Sequence, residues 1–219
     1  MLKQVRGYPT EATTIGIYIG FLKCYSRRLD PDIILSLVRK IAKNPKGTLE
    51  KADFEKVFDA TFSGKNIVNI KPLVKLPSVS NLSLMDNEIA DLKPLASLKN
   101  LVALQLQGNQ ISTLKPVADL LLLEQLNLSR NQISNLAPLK KLVNLERLNL
   151  INNKLTNISV LSNFPKLTWL GLNFNYISKL KPLYGLKKLE VLMIKGNTQL
   201  RNGEIMDLED QLPNCTIEY

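Results

Sequence analysis

The chain has 219 residues, enough for one domain with a full core or for two small ones. Its 45% hydrophobic content excludes disorder over most of the length, and no apolar run reaches the 18 or so residues that crossing a bilayer demands. The formal charge is +10, and it is spread: residues 1–65 hold 12 basic and 7 acidic groups, the remainder 17 and 12. Such an excess steers acidic partners toward the chain but does not by itself imply nucleic acid. Histidine is absent, which removes the commonest general base and metal ligand. Two cysteines near opposite ends, Cys24 and Cys215, do not make a disulfide framework.

Residues 1–29 read as an N-terminal extension. Ile15, Ile17, Ile19 and Phe21 alternate with Gly16, Tyr18 and Gly20 in a strand-like pattern. The same run, preceded by Lys3 and Arg6, also has the form of a weak signal segment, although no small-residue cleavage site follows it. Residues 30–65 read as a helical cap. Asp30 is placed to cap a helix with Pro31 in its first turn, and Ile33, Ile34, Leu37, Val38 and Ile41 share one face. Val57, Ala60 and Phe62 then fall where a strand would begin the pattern that follows.

Residues 66–198 repeat. Asn87, Asn109, Asn131, Asn153, Asn175 and Asn197 recur at intervals of 22, each preceded by LxxLxLxx, as in Leu101, Leu104, Leu106 and Asn109. Lys65 stands one interval before Asn87, followed by Ile67, Ile70, Pro72 and Leu73 at the expected offsets. Alternating leucines point to one side of a short strand, and a single unit cannot cover that side alone. Neighbours must therefore stack around a shared core. The asparagine amide has donors and an acceptor for backbone groups where the chain turns out of the strand, so the stacked asparagines are expected to form a buried ladder.

This pattern resembles the leucine-rich repeats, and the string NEIADLKPLASL from Asn87 to Leu98 resembles the repeat of the bacterial internalins. A Pro-aliphatic pair follows most asparagines, at Pro94, Pro116, Pro138 and Pro182, while Val160 departs from it. Phosphatase-regulatory eukaryotic repeats share the length but are less marked by that pair. The resemblance implies an α/β repeat solenoid: a right-handed arc with a parallel β-sheet on its concave face and helical caps at both ends. It also implies a protein-interaction module whose partner is a host or surface protein. Secretion or surface display follows from the same resemblance; a cytoplasmic place follows if the N-terminus acts as written without a signal.

Residues 199–219 read as the closing cap. A helix-forming run from Gly203 to Leu212 replaces the usual short turn, and Leu212, Cys215 and Ile217 are expected to restate LxxLxL. That places Cys215 at a leucine position of the last strand as a buried core thiol.

About eight strands make a sheet roughly 35 Å long. Its early outward positions hold polar residues such as Gln105, Gln125, Asn127 and Ser129. The later ones hold Arg147, Ile151, Trp169, Phe174, Val191 and Met193, with Tyr176 nearby. Trp169 is the sole tryptophan, and aromatic and arginine side chains dominate binding hot spots, so these seven residues are the candidate partner site. The competing reading has Trp169 merely stacking on Arg147 and Val191. Lys71, Lys93, Lys115 and Lys181 precede prolines and form a possible basic stripe, or else a solvated face. No catalytic motif, metal-ligand spacing or cofactor signature is present, so the chain reads as a non-enzyme and a monomer. The alternatives are an anionic ligand (nucleic acid, acidic glycan or lipid) on the basic surface, or a regulatory subunit of an intracellular enzyme.

Overall fold

The structure, a computed structural model, describes residues 31–219. The extension at 1–29, with Cys24, and the capping role of Asp30 lie outside the described residues. Helix α1 spans Pro31–Ala42 and buries Ile34 and Val38 completely against the first repeat. It ends because Lys43 turns left-handed at φ 54°, letting Asn44 N–H reach Arg39 O at 3.1 Å while Lys43 N–H approaches Lys40 O. A single turn, α2 (Lys51–Phe54), follows.

Eight three-residue strands then form one parallel sheet in chain order: β1 Asp59–Thr61, β2 Asn81–Ser83, β3 Ala103–Gln105, β4 Gln125–Asn127, β5 Arg147–Asn149, β6 Trp169–Gly171, β7 Val191–Met193 and β8 Thr216–Glu218. From β1 to β7 each residue pairs with the one 22 further on, as Leu104 does with Leu126. Strand β1 lies within the segment read as a helical cap and is paired to the first full repeat. The central residue of each strand from Ala60 to Leu192 is buried, as are the apolar residues two positions on, from Phe62 to Ile194, giving one continuous core. No helix among the described residues is long and apolar enough to cross a membrane.

The ladder asparagines bind adjacent repeats together. Asn131 Oδ1 accepts the N–H of Ile111 at 2.9 Å, and its Nδ2 donates to Leu106 O and Leu128 O, both at 3.0 Å. Asn87, Asn109, Asn153, Asn175 and Asn197 repeat the arrangement, and all six are buried.

On the far side of each repeat the chain makes a 3-10 turn, and its length follows one side chain. Where Asn69, Asp91, Asn135 or Asn157 accepts the N–H two residues on, the turn runs five residues. Where Thr113 or Lys179 stands instead, it runs three. Val160, in place of proline, leaves a five-residue turn, because the Asn157 cap rather than the proline ring organises it.

The closing cap departs from expectation. Helix α3 (Asn202–Gln211) buries Ile205 and Leu208 against the last repeat. It absorbs more residues than a 3-10 turn, so β8 pairs 25 residues on: Leu192 faces Ile217, and Val191 faces Thr216. Cys215 therefore precedes the strand rather than filling a leucine position. Its thiol is half-buried, not a core group, and that burial raises its pKa.

Candidate functional site

The outward sheet positions stand in two rows fixed by the register. Ala103, Gln125, Arg147, Trp169 and Val191 are successive neighbours in one; Gln105, Asn127, Asn149, Gly171 and Met193 in the other. Because the spacing is constant, residues 22 positions apart stand side by side on this face.

Trp169 is half-buried. Arg147 lies over its ring with Cζ 5.2 Å from the centroid, a separation at which the ring quadrupole attracts the guanidinium. The indole leans along its own strand over Gly171. A Cβ added there would lie 2.7 Å from Trp169 Cη2 and 3.0 Å from Ile151 Cγ1. Gly171 is needed here for space, not for backbone freedom. Trp169, Arg147 and Ile151 thus form one group, while Val191 and Met193 stand half-buried on the next strand.

Phe174 and Tyr176 belong to a different place. They flank Asn175 at the rim where the chain leaves the sheet, and are 56% and 50% exposed. Phe174 leans toward Gly196 of the following repeat, not toward Trp169. Its backbone is left-handed at φ 55°. The same holds for the residue before every ladder position: Gly64, Asp86, Gly108, Arg130, Asn152 and Gly196 all have positive φ. In each repeat but the last that residue's N–H donates to a carbonyl 21 positions on, as Phe174 does to Lys195 O at 2.8 Å. This slot suits Gly, Asn or Asp; for a bulky ring it is strained.

The sheet face also holds a hollow of about 290 Å³ with Trp169 and Arg147 at one end. Leu126 lies among its lining, and the polar Gln105, Gln125, Asn127 and Asn149 complete it. These polar residues give no sign of a site when read singly. The only available signal is that spacing of 22 places Gln125 beside Arg147 and Asn127 beside Asn149. Ser129, read as outward, is instead buried, its N–H and hydroxyl held by Asn127 Oδ1 at 3.1 and 3.0 Å. Lys71, Lys93, Lys115 and Lys181 are exposed on the opposite side, each opening a 3-10 turn. No cluster of metal-ligating groups occurs among the described residues.

A stack of 22-residue units joined by an asparagine ladder, with one parallel sheet and helical caps, defines a leucine-rich-repeat protein. A profile of leucine-rich repeats in two copies matches residues 122–163. Among solved structures, an internalin (inlF) of Listeria monocytogenes is 32% identical, with a TM-score of 0.69 over 72% of this chain and 46% of that one. Internalin C2 of the same bacterium is 27% identical, with a TM-score of 0.65 over 86% of this chain and 93% of that one. A leucine-rich-repeat protein of Leptospira interrogans, 24% identical with a TM-score of 0.64 over 78% of this chain and 52% of that one, shares the fold. No curated protein matches. The chain has the leucine-rich-repeat fold, and its repeats are similar to those of these Listeria internalins. It spans less than half the length of inlF.

Proposed function

We propose that this chain is a non-catalytic binding module that holds a protein partner on the concave sheet face and on the adjoining rim. Leucine-rich-repeat proteins of the internalin and receptor types are generally protein-interaction modules. The observation that supports this surface is Phe174, on its rim. An exposed aromatic ring sits in a left-handed slot that other repeats fill with Gly, Asp, Arg or Asn, so folding alone gains little from it. Trp169, Arg147 and Ile151 extend the surface inward from that rim, and Tyr176, Val191 and Met193 flank it. Partner residues covering this area would bury aromatic and guanidinium groups of the kind that concentrate binding energy. The net charge of +10 favours an acidic partner, and like-charged copies repel, which favours a monomer.

The test is capture of partners by the intact chain beside its Trp169→Ala and Tyr176→Ala variants. Loss of the same partners from both variants is the expected result. Equal capture by all three places the binding surface elsewhere.

A further inference from the structure

The hollow beside Trp169 has an unusual polarity. Asn127 turns its Oδ1 back to Ser129, accepting from both its N–H and its hydroxyl, and Asn149 turns its Oδ1 to the N–H of Ile151 at 3.1 Å. Each amide oxygen is thus occupied, which fixes the orientation of the group. The two Nδ2 atoms have no partner among the described residues and are left as donors. Arg147 makes no ion pair among the described residues, and its guanidinium can only donate. No acidic side chain lines the hollow. Three sets of donors face a space with no built-in acceptor to satisfy them, apart from the adaptable carboxamides of Gln105 and Gln125.

We infer that this hollow seats a carboxylate side chain, an aspartate or glutamate, presented by the protein partner. The inference rests on the sheet-face reading above and specifies the chemistry recognised there. The stacking of Arg147 on Trp169 decides between ligand types. A sugar recognised by aromatic stacking needs a free ring face; here the guanidinium lies over the ring and the indole also leans over Gly171. With its Cζ 5.2 Å from the ring centroid, Arg147 is held beside the hollow by the indole, and a guanidinium so placed can bind a carboxylate through two N–H groups at once. Trp169 is then a positioning residue for Arg147 as well as a contact surface. Asn127 and Asn149 supply further donors from the neighbouring row.

The experiment is selection of random linear displayed peptides on the full chain. Its single tryptophan, Trp169, gives a direct fluorescence readout of binding at the hollow. The expected peptides carry Asp or Glu at one fixed position and change the Trp169 emission. Both Arg147→Gln and Arg147→Lys should weaken them about tenfold or more, the second because it keeps the charge but loses the fork. On Arg147→Glu, selection should instead enrich Lys or Arg at that position. Arg147 is exposed on the sheet, and unchanged thermal unfolding of each variant checks that it folds. Peptides that need Trp169 but tolerate Arg147→Gln overturn the carboxylate assignment while leaving the sheet-face reading intact. Peptides indifferent to both Trp169→Ala and Tyr176→Ala, or no enrichment at all, overturn both.

Discussion

Asp86 and Arg130 form an ion pair of 2.7 Å across two whole repeats, arching over Gly108 of the repeat between them. All three occupy the left-handed slot before a ladder asparagine. Gly108 serves twice: its φ of 67° is easy only for glycine, and a Cβ there would collide with Asp86 Oδ1. Gly108→Ala is therefore expected to lose about 1–2 kcal/mol in urea denaturation. Asp86→Asn should lose less than about 1 kcal/mol, since the pair it breaks is exposed. The reverse ranking would mean that the ion pair, not the backbone slot, stabilises this edge.

The ladder predicts a larger loss. Asn153 is buried, accepts from Ile133 N–H at 2.9 Å and donates to Leu128 O and Leu150 O. Asn153→Ala leaves these backbone groups unpaired in the interior, which costs roughly 1–3 kcal/mol. Asn153→Asp should not rescue it, because a carboxylate keeps the acceptor but loses both donors and brings a buried charge. Denaturation of the two variants beside the wild type decides the point. Equal stability of Asn153→Asp and wild type would show that the donor bonds contribute nothing.

These two examples show how far the fold could be read from sequence. The leucines and ladder asparagines repeat at constant spacing, so strands, register and core were legible. The left-handed slot was not, since its occupants, Gly108, Arg130, Asn152 and Phe174 among them, share no chemistry. Nor was the final register. The run from Gly203 to Leu212 is recognisable as helix, but how many residues the helix takes up depends on where it docks. That is why Cys215 falls before the strand and Ile217, not Cys215, faces Leu192. In the candidate site Trp169 stood out because it is unique. Asn127 and Asn149 did not, because polar residues on an outward row look alike whether they face water or a hollow.

Phe174 offers a test that separates folding from binding. Its φ of 55° is strained for a ring that is mostly in solvent. Phe174→Gly should therefore raise stability by up to about 1 kcal/mol, less whatever packing on Gly196 is lost. The same variant should weaken partner binding if the rim is part of the interface. Both are measurable, by denaturation and by the capture assay. A variant less stable than the wild type would make Phe174 a structural residue and remove the chief support for the rim.

Glu204 links the closing cap to acid. Lys179 Nζ approaches its Oε1 at 2.7 Å, and Leu180 donates its backbone N–H to Oε2 at 3.0 Å. Glu204 so binds one of the two 3-10 turns that lack an Asn or Asp cap, tying α3 to the last repeat. The Lys179 hydrogen bond first, then the Leu180 N–H, holds its carboxyl below the usual glutamate value. A pKa depressed by folding contributes stability that is complete above the unfolded value and is lost as pH falls through the folded one. Wild-type chain should therefore be more stable than Glu204→Gln at neutral pH, with the difference closing as pH falls below about 4. Asp53 and Asp119 are shifted in the same direction, so wild type alone also weakens in acid; the difference between the two proteins isolates Glu204. Hydrogen exchange at the Leu180 amide reads the same event locally. A gap between the two proteins that stays constant down to pH about 3 would show that the carboxylate charge does not hold the cap.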